Sequence, residues 1–161
     1  MRLSFFIALS IGVLLTACGS KKAAFDYSEK LVAMEQSLVP DITETEDKVE
    51  IYLTNGQFDS AKTVSQRMED KIAEKIKEVE NTPPPQVNEA ENFKKAFLKY
   101  FSYMKSIYTS YAKYASQTTE EDRGMALEEM MNIINNKKEA IEEVQRMQVK
   151  FAKANGFSVN K

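Results

Sequence analysis

From Phe25 onward, apolar residues recur every three or four positions with polar residues filling the gaps. That period belongs to helices buried along one face. Leu31, Met34, Leu38, Ile42, Thr45, Val49 and Tyr52 share such a face and predict a first helix from about Phe25 to Thr54. Pro40 falls inside it. Because the stripe runs on past the proline, the pattern predicts one kinked helix rather than two. Asn55-Gly56 then reads as a stop, with Gly at the left-handed position after the last turn. Ala61, Val64, Met68, Ile72, Ile76 and Val79 predict a second helix from Phe58 to Glu80. Pro83-Pro84-Pro85 ends it, since three prolines cannot continue a helix.

The third stretch is aromatic. Phe93, Phe97, Tyr100, Met104, Ile107 and Tyr111 lie on one face, with Phe101 and Tyr108 on one flank and Tyr103 and Tyr114 on the other. The predicted helix runs from Asn88, read as its cap, to about Gln117. Its apolar arc of roughly 160° is wide enough for two neighbours. Tyr103, Tyr108 and Tyr114, at the rims of that arc, are candidates for a ligand or partner surface. In the fourth stretch Thr118 with Glu121 fits a capping box. Leu127, Met130, Ile134, Lys137, Ile141, Val144, Gln148 and Phe151 follow a seven-residue repeat. Lys137 and Gln148 put polar groups on that seam. Lys137 is therefore a candidate for a buried polar contact beside Thr45 or a tyrosine hydroxyl. Asn155-Gly156 stops this helix, with Phe157 placed to pack back, and 158–161 reads as a frayed tail.

Four amphipathic helices with short connections imply an all-α fold, an antiparallel up-and-down four-helix bundle over 25–157. Glycine and proline together occupy only nine positions and 29% of residues are charged, which also favours helix over a turn-rich β fold.

The N-terminus has a different texture. Arg2 precedes an apolar run, Leu3 to Leu15, of about thirteen residues. That length suits a signal peptide and is too short for a spanning helix. The run ends in Leu15-Thr16-Ala17-Cys18, which holds the only cysteine. These residues resemble the lipobox of a bacterial lipoprotein signal. The resemblance implies a leader over 1–17 cleaved before Cys18, a diacylglyceryl thioether on its sulfur and an acyl group on its new amine. No other cofactor is expected. Gly19 is not the Asp that retains lipoproteins in the inner membrane, so the expected address is the outer membrane, on its periplasmic face or at the cell surface. Residues 18–24 read as the lipidated cysteine and a short linker. Its segment from Gly19 to Ala24 reaches about 20 Å when extended. The anchor would put the prolines near the bilayer and the acidic turn at Glu120 to Asp122 about 40 Å away.

The mature chain resembles a family of small helical surface lipoproteins of Gram-negative envelopes. The likeness rests on the lipobox, Asn-Gly-Gln-Phe-Asp-Ser-Ala at 55–61, the prolines at 83–85, Asn-Phe-Lys-Lys-Ala-Phe at 92–97 and Phe-Ala-Lys-Ala-Asn-Gly-Phe at 151–157. It implies a helical bundle and an envelope location, and it implies no activity.

Composition narrows the chemistry further. Net charge is −2, so no basic excess is present to neutralise phosphates and nucleic acid is not an expected partner. Histidine is absent, which removes the commonest general base and the commonest transition-metal ligand. No glycine-rich phosphate loop or calcium-binding loop occurs, and no metal site is expected. The acids alternate with lysines as solvated helix faces do. The expectation is a non-enzymatic lipoprotein, tethered to a membrane, that binds an envelope protein or serves a structural role. The alternative is a small apolar-ligand binder or sensor with its pocket along the third helix.

Overall fold

In a computed structural model of the chain, residues 12–159 are described, with side chains from Gly19 onward. Among them the fold is all-α, built from α1 (Gly12–Gln36), α2 (Val39–Thr54), α3 (Phe58–Glu80), α4 (Ala90–Ala115), α5 (Glu120–Asn135) and α6 (Lys137–Ala154). The six segments make four rods, since α1 with α2 and α5 with α6 succeed one another across short breaks. Sequential rods run in opposite directions. Lys71 of α3 reaches back to Asp41 of α2, Lys105 of α4 to Glu69 of α3, and Glu143 of α6 to Lys99 of α4. α3 packs most extensively on α4, which is also covered by α5 and α6.

The first rod is broken, not kinked. A prolyl ring at 40 clashes with the carbonyl four residues back, at Gln36, and gives it no N–H. α1 therefore ends at Gln36, a turn takes Ser37 and Leu38, and α2 restarts with Pro40 in its first turn, where a missing N–H costs nothing. Leu38 sits in that turn and is still buried, so the apolar stripe crosses the break intact. The expected linker also differs. Gly19 to Ala24 are helical, inside α1, and Ala24 is already a core residue beside Tyr27 and Leu31.

The second break, at Asn136, divides the fourth rod. The seven-residue spacing nevertheless carries across it, along a row set by Met130 and Ile133. Ala126, Met130 and Ile133 face the core before the break, and Val144, Met147 and Phe151 after it. Leu127, expected on the seam, is exposed, and so is Lys137. Two caps shift by one residue. Thr119, not Thr118, caps α5, its Oγ1 accepting from the Asp122 N–H at 3.1 Å. Glu89, not Asn88, precedes α4, with φ at +64°. A left-handed residue other than glycine costs roughly 1–2 kcal/mol. The Glu89 carboxylate offsets this by accepting from Asn92 and pairing with Lys150 of α6.

The two Asn-Gly stops form as expected. Gly56 and Gly156 have φ of +69° and +73°. Behind them the Gln57 N–H donates to the Tyr52 carbonyl and the Phe157 N–H to the Ala152 carbonyl, closing both helix ends. A Cβ at either glycine meets nothing within 4 Å, so only conformation opposes one. Gly56→Ala and Gly156→Ala are each expected to lose about 1 kcal/mol. Urea unfolding should show a lower midpoint at unchanged slope; an unchanged midpoint would contradict the cap geometry.

The core concentrates at the end of the molecule where α1 begins to pack. Phe93 and Phe97 of α4, Phe151 of α6 and Tyr27 of α1 interlock there, in one core cluster with Leu31 and Val79. At the same end Lys94 closes the α3 terminus. Its amino group donates to the carbonyls of Glu80 and Thr82, just before the three prolines. Among the described residues no helix is long and apolar enough to cross a membrane.

Candidate functional site

α4 carries the aromatic residues that the sequence singles out, and its neighbours decide what each can do. Tyr103 is half-buried, and its hydroxyl donates to the Ile133 carbonyl at 2.8 Å. That carbonyl belongs to the last turn of α5, where the break at Asn136 interrupts the helical ladder, so Tyr103 holds the break. Tyr100, one turn away, donates to the Glu35 carboxylate at 3.0 Å, next to the other break. The two broken rods are thus clasped at one height by two tyrosines of an unbroken helix.

Tyr108 is buried in the core. Tyr114 meets Phe58 edge-on at 6.3 Å. The Arg123 guanidinium lies over the Phe58 ring, 4.0 Å from its centre. Arg123 also donates to the Gln117 carbonyl, which fixes the start of α5 against the start of α3. Tyr103, Tyr108 and Tyr114 therefore do not converge on a shared opening. Lys137 stands apart from all three, exposed in the first turn of α6. Gln148, the other polar seam residue, is partly buried, its Nε2 lying 3.5 Å from the buried Ser28 hydroxyl.

Burial of phenols is the main electrostatic perturbation. Burial, with Glu91 nearby, raises the Tyr27 hydroxyl to about 12. Burial first, and then Glu35 beside Tyr100 and Glu46 near Tyr108, hold both phenols well above the ordinary tyrosine value. The folded chain keeps these protons more tightly than the unfolded chain does. Their contribution is complete below the unfolded value near 10 and is lost as pH rises toward and beyond 12. Stability should therefore fall steeply with pH above 10. Phenolate absorbance in the folded protein should lag that in denaturant; superimposable curves would contradict the burial.

A groove of about 250 Å³ lies between α4 and α6, just past the Asn136 break. It is lined by Ala96, Tyr100, Tyr103, Asn136, Ala140 and Val144, with the Lys99–Glu143 ion pair at its edge. Both tyrosine hydroxyls are already spent on Glu35 and Ile133, so no set of free polar groups converges there. Among the described residues no three acidic or thiol side chains gather as a metal would require. The side chain of Cys18, the expected lipid site, lies outside the described residues, as do residues 1–11 of the expected leader and 160–161 of the tail.

The outer face of α5 carries large apolar side chains that the buried stripe does not include. Leu127 and Met131 are 42% and 46% exposed, and Ile134 continues their row at four-then-three spacing. α5 therefore has a second apolar stripe beside the buried one. The signal was present in the sequence: counting both stripes gives an arc wider than its single large contact, with α4, can cover. The same helix carries five carboxylates against one arginine, and that arginine is engaged with Phe58. No protein-family model matches the chain, and no curated protein or solved structure matches it.

Proposed function

We propose that this chain is a lipid-anchored, non-catalytic lipoprotein of the bacterial envelope, an up-and-down four-helix bundle held at the outer membrane through Cys18. Its task is to bind an envelope protein through the outer face of α5. The lipobox and the likeness to small helical surface lipoproteins support the address. The observation that carries the binding role is the exposed row of Leu127 and Met131 on a helix otherwise packed in the bundle. Large apolar side chains grouped on one face mark contact surfaces when they recur in register. The acidic flanks, Glu120, Glu121, Asp122 and Glu128, select the chemistry of the occupant: an amphipathic helix with basic edges. The interaction reading is preferred over a small-ligand pocket because the α4 hydroxyls that a pocket needs already have protein partners or lie apart.

Photo-crosslinking in intact cells tests this. A photoreactive residue at 127 or 131 should yield one defined adduct, and one at exposed Gln66 on α3 should not. The crosslinked peptide should be helical and basic, and the adduct yield should fall when crosslinking is done at high salt. Equal adducts at 66, or none at 127 and 131, would remove the docking role.

A further inference from the structure

The end of the bundle opposite the acidic turn has a surface that the docking reading leaves unused. α1 enters the core at Ala24, and the next residue, Phe25, is 44% exposed. Its ring meets Phe157 edge-on at 5.6 Å, and Phe157 in turn backs onto Phe151 at 5.9 Å. The exposed aromatic is therefore braced from the core. Three lysines surround this end. Lys21 and Lys22 stand on the turn of α1 that precedes Ala24, and Lys153 on the last turn of α6. Lys21 and Lys153 make no ion pair among the described residues, while Lys22 pairs with Asp26. The acids nearby are Glu89, held by Lys150, and Glu80 and Glu91 at the helix ends.

Two features say what covers this face. The chain leaves the bundle here toward Cys18 and the apolar run from Leu3 to Leu15. The connection is helical, so the six residues Gly19 to Ala24 rise only about 9 Å, not the 20 Å of an extended linker. We infer that this end sits directly on the bilayer, with the Phe25 ring in the interface and Lys21, Lys22 and Lys153 on anionic lipid headgroups. The inference rests on the membrane-tethered reading and adds a second contact to it, one that sets the tilt of the bundle.

The test uses the absence of tryptophan, which makes a single indole a clean reporter. Phe25→Trp chain, lipidated at Cys18, is reconstituted into phosphatidylglycerol-rich or pure phosphatidylcholine vesicles carrying spin-labelled lipid. Blue-shifted, quenched emission is expected in the anionic vesicles. A Lys21→Glu, Lys22→Glu, Lys153→Glu background should return the emission to that of an indole in water. Water-like emission in both vesicle types overturns the inference, and so does quenching that the charge reversals leave unchanged.

A second arm separates this contact from the anchor. Among the described residues every core side chain lies at Ala24 or beyond, so the chain from Gly19 onward keeps that core without the lipid. It should bind phosphatidylglycerol vesicles, losing at least about five-fold in partitioning per reversed lysine, and ignore neutral ones. If this domain binds while Cys18 takes no lipid, the anchor reading fails and the surface stands. If Cys18 is lipidated and neither chain responds to anionic lipid, the surface fails and the anchor stands.

Discussion

A Cys18→Ala chain is expected to lose incorporation of labelled fatty acid completely and to leave the tightly held membrane fraction. The reason is chemical. A thioether to diacylglycerol needs a sulfur nucleophile, and Cys18 is the only one of its kind in the sequence. Neither alanine nor serine can form that bond. The energetic consequence is large because burial is worth about 0.8 kcal/mol per methylene, and two or three chains act together where one holds only marginally. The bundle itself should not notice the substitution. Among the described residues the first in the core is Ala24, and α1 is helical across the intervening stretch, so the unfolding midpoint should match that of the parent. Label retained in the alanine chain, or unchanged resistance to extraction with the leader removed, would sink the anchor reading. A fall in the unfolding midpoint would instead mean that the turn before Ala24 contributes to the fold.

How much of this was legible in the sequence depended on how local the cause was. Helix identity follows from periodicity, a property of neighbouring residues, and every predicted stripe from Phe25 to Phe157 is helical in the structure except at turns. The Asn-Gly stops were readable because a left-handed residue after a helix selects glycine at that position. The Pro40 break reads as a bend in the sequence because Leu38 is buried in the turn itself. A stripe that crosses a break looks the same as one that follows a bend, and the choice between them lies with Gln36, whose carbonyl the prolyl ring excludes from the ladder.

The break at Asn136 was harder still. Nothing in its immediate sequence forbids a helix. What stabilises it is a hydroxyl 30 residues away, Tyr103 on α4, donating to the Ile133 carbonyl. Lys137 keeps its place in the seven-residue repeat, between Met130 and Val144, but lies in solvent in the first turn of α6, and Leu127 falls one position off the buried row at Ala126. The candidate tyrosines show the same limit. Periodicity placed them at the rims of α4, but which rim met Phe58, which met Ile133 and which entered the core is decided by the neighbouring rods.

The second large effect concerns the joint between α1 and α6. Phe151 is fully buried, stacks on Phe93 of α4 with ring centres 4.8 Å apart and meets Tyr27 of α1 edge-on at 6.2 Å. One side chain thus ties three rods. Phe151→Ala is expected to cost about 3–5 kcal/mol, combining lost transfer energy with an unfilled cavity. Against a total stability of roughly 5–15 kcal/mol that is a severe loss, equivalent to a fall in Tm on the order of 10–20 °C for a chain of this size. Leu127→Ala is the matched control: exposed, it should change stability by no more than about 0.5 kcal/mol. The location of the damage is as telling as its size. α1 makes few close contacts with its neighbours besides α6, so the cavity should loosen α1 before the rest. Limited proteolysis should then cut the substituted chain first after Lys21, Lys22 or Lys30, while α3 and α4 stay protected. A Tm within a few degrees of the parent, or cleavage starting in α3, would show that the α1–α6 joint is not where the bundle is held to its base. Because α1 is also the rod that leads to Cys18, the proposed anchor would stay on a chain loosened there, while the bundle lost its fixed orientation to the proposed membrane contact.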